Sequence, residues 1–170
     1  MHKEKWNRRY SGTELNRPEE PSPVLVVETK GLDPGRALDL ASGTGRHAFY
    51  LAMNGWGVTA VDFSDVAVEK GKKLSENMSL PIRWLRRDLN GFLPEPGEYD
   101  LVTMFYLHIP WDEFAGIVRA AASALRSGGI LLVVGHDSSN IEEGEGGPQD
   151  PAVLYSPEDV VEILEGMGES

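Results

Sequence analysis

Two carboxylates and two glycines stand where they can do chemistry. The stretch Leu38-Asp39-Leu40-Ala41-Ser42-Gly43-Thr44-Gly45-Arg46 runs from an apolar segment into a turn. Gly43 and Gly45 permit a tight strand-to-helix turn and let a ligand come close to the backbone. A helix opening at about Arg46 presents unpaired N–H groups toward that ligand. Asp62 closes a second apolar run 17 residues beyond Gly45, where an acid can accept two hydrogen bonds from the vicinal hydroxyls of a ribose. These segments together predict an adenosine-type nucleoside cofactor. Gly43 to Ala48 also satisfies the G-x-G-x-x-A dinucleotide pattern, which is a weak signal alone. Asp39 discriminates between the two. Its carboxylate, at the end of the first run, would repel a pyrophosphate and favour the ammonium or sulfonium of a methionine-derived cofactor. No glycine-rich loop ends in Lys-Ser/Thr, so a cationic nucleoside cofactor is expected over a phosphorylated one.

Such residues need strands to carry them. Short apolar runs at 37–40, 58–61, 82–85, 101–105 and 130–134 read as strands buried on both faces. Helical periodicity lies between them, at 46–54, at 65–77 after a Ser64 cap, and at 112–125 before Gly128-Gly129. Gly71 is a weak point in the second of these, at a cost of about 1 kcal/mol against Ala. A short helix opens at Ser22-Pro23 and stops before Gly31, and Ser156-Pro157-Glu158-Asp159 starts a last one. The first 23 residues are polar and rich in turn formers, with Trp6, Tyr10 and Leu15 as anchors for a docked helix and loop. Alternating strands and helices from residue 36 onward predict an α/β, doubly wound, Rossmann-like, mainly parallel sheet of about five strands. In that architecture ligands bind at the carboxyl ends of the strands. Both carboxylates fall there.

Composition narrows the setting. At 170 residues and 41% hydrophobic, the chain suits one domain over 1–170, with a core at 36–136 and an acidic loop and last helix at 137–170. It contains no cysteine, which excludes disulfides, thiolate metal sites and cysteine nucleophiles. No apolar run approaches the roughly 20 residues of a membrane span, and the start lacks the pattern of a secretory signal. A cytoplasmic location is expected. The net charge of −11 resides almost wholly in residues 127–170, which hold 10 acidic residues and no basic one. The remainder is near neutral, so neither part offers the basic patch that attracts nucleic acid or an anionic membrane. A small-molecule substrate is expected, with no nucleic-acid and no membrane partner.

Residues 36–136 resemble a class I S-adenosylmethionine-dependent methyltransferase. Ala37 to Arg46 is similar to the family's first motif, Asp62 to its ribose-binding acid, and Arg87-Asp88-Leu89 to its third motif, whose Asp meets the adenine amino group. Tyr99-Asp100-Leu101-Val102 resembles the fourth strand and Leu125 to Leu132 the approach to the fifth. Trp6-Asn7-Arg8-Arg9-Tyr10 is similar to the W-x-x-R-Y segment of the tellurite-resistance and thiopurine-type subgroup. The resemblance implies S-adenosylmethionine as cofactor. It places Asp39, Ala41, Gly43 and Gly45 around the methionine part and Asp62 with Phe63 at the ribose. Asp88 and Leu89 then meet the adenine, with Phe105 nearby and Trp6 and Tyr10 as a lid. Ala41 stands where the first glycine is usual, a conservative change if the backbone there is extended. Family members normally continue into a C-terminal antiparallel strand pair. That pair is lacking here, so residues 130–134 are expected at an open edge, available for a homodimer.

Acid–base groups are fewer. His108 and His136 follow the fourth and fifth strands and point to the same end of the sheet; a neutral imidazole there can take a proton from a hydroxyl, thiol or amine. Hydrogen-bonded pocket histidines are the plainer alternative. Tyr106 and Trp111 suit an aromatic wall, and Arg9 a partner for a carboxylate. His2, His47, His108 and His136 share no metal-ligand spacing, so no metal is expected. The sequence predicts methyl transfer to a small nucleophile. The alternatives are an NAD-dependent oxidoreductase or a non-catalytic cofactor-binding module.

Overall fold

Apolar strands flanked by capped helices build a layered sheet in the computed structural model, which describes residues 17–107, 109–135, 161–162 and 164–165. The elements run α1 (Pro23–Thr29), β1 (Arg36–Leu40), α2 (Arg46–Met53), β2 (Gly57–Asp62), α3 (Asp65–Asn77), β3 (Arg83–Arg86), β4 (Tyr99–Phe105), α4 (Trp111–Ala124) and β5 (Leu125–Val134). Residues 161–162 and 164–165 are helical. Ser22 caps α1 by accepting from the Val24 N–H, and Ser64 caps α3 by accepting from the Ala67 N–H, each filling a donor that a helix start leaves open.

All five strands are parallel, in the order β3-β2-β1-β4-β5. Among the described residues there is no antiparallel pair, and β5 lies at an edge with Ile130 exposed. The chain reverses its direction of travel across the sheet between β1 and β4, which makes their carboxyl ends the switch point. Strand alternation divides the side chains into two cores. Leu38, Leu40, Val102 and Met104 pack with α4 on one face. Ala37, Ala60, Leu101 and Phe105 pack with α1 and α2 on the other. Asp39, Asp62 and Thr103 share the parity of this second set. Three polar side chains therefore lie on the α1/α2 face, near the ends of adjacent strands.

Two local expectations are corrected. Leu125 belongs to β5 and not to the preceding helix: α4 ends at Ala124 and the strand starts at once. Its register against β4 slips between Tyr99↔Leu125 and Leu101↔Ile130, so Arg126 to Gly129 bulge out of the ladder. Ala41 is not extended. Its φ is +61°, a left-handed conformation that costs an L-residue roughly 1–2 kcal/mol. The chain must turn sharply from β1 into the glycine loop, and the family's usual glycine at that point meets the turn without strain.

Candidate active site

The site begins where β1 runs out. Asp39, on the central strand of the sheet, is 1% exposed. Its Oδ1 accepts from the Thr103 hydroxyl at 2.8 Å, across the β1–β4 register in which the two residues are opposed. Its Oδ2 has no partner. Burial, reinforced by the Asp62 charge, pushes the carboxyl from 3.8 up to about 7, against the opposing pull of the Thr103 hydrogen bond and the Arg46 charge. An unpaired carboxylate oxygen in a buried position is costly unless a donor arrives.

Asp62 ends β2 and is also buried. Its Oδ1 accepts from the Gly43 N–H at 3.1 Å and its Oδ2 from the Ser64 N–H at 3.1 Å. The carboxylate thus ties the glycine loop to the start of α3, while each oxygen keeps a lone pair for a further donor. Burial raises its pKa, and the two backbone donors oppose that rise.

The loop between them is held from within. Ser42 N–H donates to Val61 O at 3.0 Å, and Gly45 N–H donates to Ser42 O at 2.9 Å. Gly45 caps α2 at a φ of +96° with no side-chain acceptor for the first helical N–H groups, so they face the crevice unpaired. Ser42 is buried, and its hydroxyl, like Asp39 Oδ2, lacks a hydrogen-bond partner. These are the two such side-chain atoms among the described residues, one on β1 and the other three residues on in the loop that follows it. Both point to a polar ligand with donors.

His47, on the first turn of α2, is buried and stacks on Phe105 with ring centroids 4.0 Å apart. Its Nε2 accepts from the Ser22 N–H at 3.2 Å, leaving the proton on Nδ1. Burial and the neighbouring Arg46 charge lower its pKa to about 4, so it is neutral at physiological pH. It fastens α1 to the loop.

Of the residues expected around a cofactor, the fold brings Asp39, Ala41, Gly43, Gly45 and Asp62 to the ends of β1 and β2. Phe105 ends β4 at the same end of the sheet. Phe63 is half-buried beside Asp62. Leu89 is buried in the α4-side core, and Asp88 is exposed, its Oδ1 accepting from the Asn90 N–H in a turn. Tyr106 is exposed at the tip of β4 and Trp111 at the start of α4. Trp6, Tyr10, His108 and His136 lie outside the described residues. Sequence reading missed Thr103, Ser42 and His47. For Thr103 a signal existed: a hydroxyl set within the apolar run Leu101 to Phe105 of an interior strand. Among the described residues no group of His, Asp or Glu side chains could hold a metal, and no helix is long and apolar enough to cross a membrane.

Known proteins fit this geometry. A family profile described as a methyltransferase domain matches residues 37–129. The chain is 24% identical over 111 residues to a probable S-adenosyl-L-methionine-dependent methyltransferase, TehB, of Haemophilus influenzae, covering 65% of this chain and 39% of that protein. It is 27% identical over 136 residues to ribosomal RNA small subunit methyltransferase G of Stenotrophomonas maltophilia, covering 76% and 62%. A solved SAM-dependent methyltransferase from Aquifex aeolicus superposes with a TM-score of 0.68 at 19% identity, covering 99% of this chain and 88% of that one. The chain spans about half the length of the curated relatives it matches. With its profile match over the sheet and its crevice at the switch point, the chain belongs to the methyltransferase-domain family of the class I type, whose cofactor is S-adenosylmethionine.

Proposed function

We propose that this chain moves a methyl group from S-adenosylmethionine to a small-molecule nucleophile in the cytoplasm. The observation that carries the reading is Asp39, a buried carboxylate with one oxygen anchored and the other waiting for a donor. A cation suits it; a diphosphate does not. When bound, S-adenosylmethionine supplies an activated methyl group together with its own leaving group, so the protein has chiefly to bind and orient. Asp39 Oδ2 would take an N–H of the cofactor's ammonium, and the Ser42 hydroxyl, Ala41, Gly43 and Gly45 would frame the methionine part. Asp62 would offer its free lone pairs to the two ribose hydroxyls. Phe63 would stand with Asp62 at the ribose and Asp88 and Leu89 at the adenine, with Phe105 nearby and Trp6 and Tyr10 as the lid of this reading.

Positioning alone can supply roughly 7–11 kcal/mol, which makes a general base optional. Where the acceptor carries a proton, His108 and His136 are the groups to take it. Tyr106, 42% exposed with a φ of +56°, holds a bulky side chain in a left-handed conformation that costs roughly 1–3 kcal/mol. Strain of that kind at a strand tip supports a role in the acceptor wall, to which Trp111 at the start of α4 is also assigned. The near-neutral body favours a small acceptor over RNA, although similar proteins of two kinds, methyltransferases G and B, are named for ribosomal RNA. Calorimetric titration with S-adenosylmethionine, S-adenosylhomocysteine and NAD, followed by methyl-transfer assays on thiols, amines, phenols and RNA fragments, tests the proposal. Binding of both sulfur ligands and transfer to a small acceptor are expected. Binding of NAD alone, or transfer to RNA only, overturns it.

A further inference from the structure

A glycine sits in the middle of a helix here, and an indole explains why. Gly71 in α3 has no room for a side chain: an added Cβ would lie 2.6 Å from Trp84 Cζ3 and closer still to Cη2. The same ring end fills the space beside Gly45, where a Cβ would lie 2.5 Å from Trp84 Cη2 and 3.4 Å from Phe49 Cδ2. Trp84 stands on the edge strand β3, and its Nε1 donates to Ser75 Oγ at 3.0 Å. Gly71 and Ser75 are four residues apart and so share one face of α3. Together they form a slot of small residues that grips the ring on one side. On the other side the ring abuts the residue from which the glycine loop enters α2. Gly45 in turn holds the loop, through its N–H to Ser42 O at 2.9 Å, and the helix, through its O from Phe49 N at 2.7 Å.

We propose that Trp84 is a positioning residue for cofactor binding, a strut that transmits the placement of α3 and β3 to the glycine loop through Gly45. The proposal rests on the reading of that loop as the cofactor site. Trp84 acts through Gly45; it is the backing of the loop and not a ligand. Its substitution therefore changes cofactor affinity even where the protein remains folded. Gly71, on α3, is coupled to cofactor affinity by the same ring.

The test is a double-mutant cycle in the full chain, with S-adenosylmethionine affinity read by calorimetry and folding by thermal melting. Gly71→Ala adds a better helix former, yet its methyl pushes the indole against Gly45, and roughly tenfold weaker binding is expected from a coupling of ordinary size. In a Trp84→Phe background the same Gly71→Ala change should leave affinity within about twofold of Trp84→Phe alone, because the clashing ring atoms are gone. Ser75→Ala removes only the anchor of the ring and keeps the fold testable if the larger changes do not; roughly threefold weaker binding is expected. Equal affinity in folded Gly71→Ala, Ser75→Ala and parent proteins overturns the strut. Should Asp39→Asn still weaken binding in that case, the loop remains the cofactor site and only the strut fails. If Asp39→Asn also binds like the parent, both readings fall.

Discussion

Replacing Asp39 by Asn should make the ligand-free protein more stable and the cofactor complex weaker. In the folded protein the Asp39 carboxyl is raised to about 7 by burial, against 3.8 ordinarily. Between those values the unfolded chain releases a proton that the folded chain retains, so folding stability falls as pH rises through the interval and is at its lowest above about 7. That gap corresponds to about 4 kcal/mol between acid and alkaline conditions. Asn is close in shape to the protonated acid: each accepts from the Thr103 hydroxyl through one oxygen and leaves one donor group unpaired. Parent and Asp39→Asn should therefore have similar stability near pH 4 and diverge steadily to about 4 kcal/mol at pH 8. For a chain of this size that is roughly 10 °C in melting temperature. With S-adenosylmethionine present the gap narrows, because the substitution removes a charge-assisted hydrogen bond worth about 1.5–3 kcal/mol, or roughly 10–150-fold in affinity. Urea denaturation at pH 4.5 and 8 with calorimetric titration at pH 8 measures both effects. An Asp39→Asn protein less stable than its parent at pH 8 would refute the argument, since the buried carboxylate would then be satisfied already.

Two further outcomes follow from the same atoms. His47, lowered from 6.5 to about 4, has the opposite linkage: the unfolded chain takes up a proton below 6.5, so stability is lost as pH falls toward 4, by about 3 kcal/mol. Asp39 and His47 offset one another across that range in the parent; stability curves of Asp39→Asn should expose the loss on acidification, and an additional His47→Gln should remove it. At Ala41, substitution by Gly relieves a left-handed strain of roughly 1–2 kcal/mol against an unfolded-state entropy cost of about 0.5–1 kcal/mol. A gain of about 0.5–1 kcal/mol in stability from urea denaturation is expected, and a loss of stability would count against the backbone geometry.

Much of this architecture was legible in the chain alone. Parallel strands buried on both faces must be short apolar runs, so β1, β2 and β4 announce themselves; the runs at 82–85 and 130–134 also form strands, but as the two sheet edges β3 and β5 they are only partly buried, contrary to the expectation of burial on both faces. Ser22 and Ser64 mark helix starts because an open N–H needs an oxygen, and both do cap. The carboxylates at the ends of the first two strands, with glycines between them, could be placed at one end of the sheet from the chain alone, and the fold brings them there. These are local facts: they depend on period, capping and turn chemistry within a few residues. What tertiary structure alone decided is contact across distance. Thr103 meets Asp39 from 64 residues away, and Ser22 lends its N–H to His47 from 25 residues away. The ring of Trp84 turns Gly71 from a flaw in a helix into a fitted slot. The left-handed turn at Ala41 likewise follows from where β1 must deliver the loop. Period, caps and turns within a few residues say nothing of which side chains meet in such contacts, so only packing could reveal them.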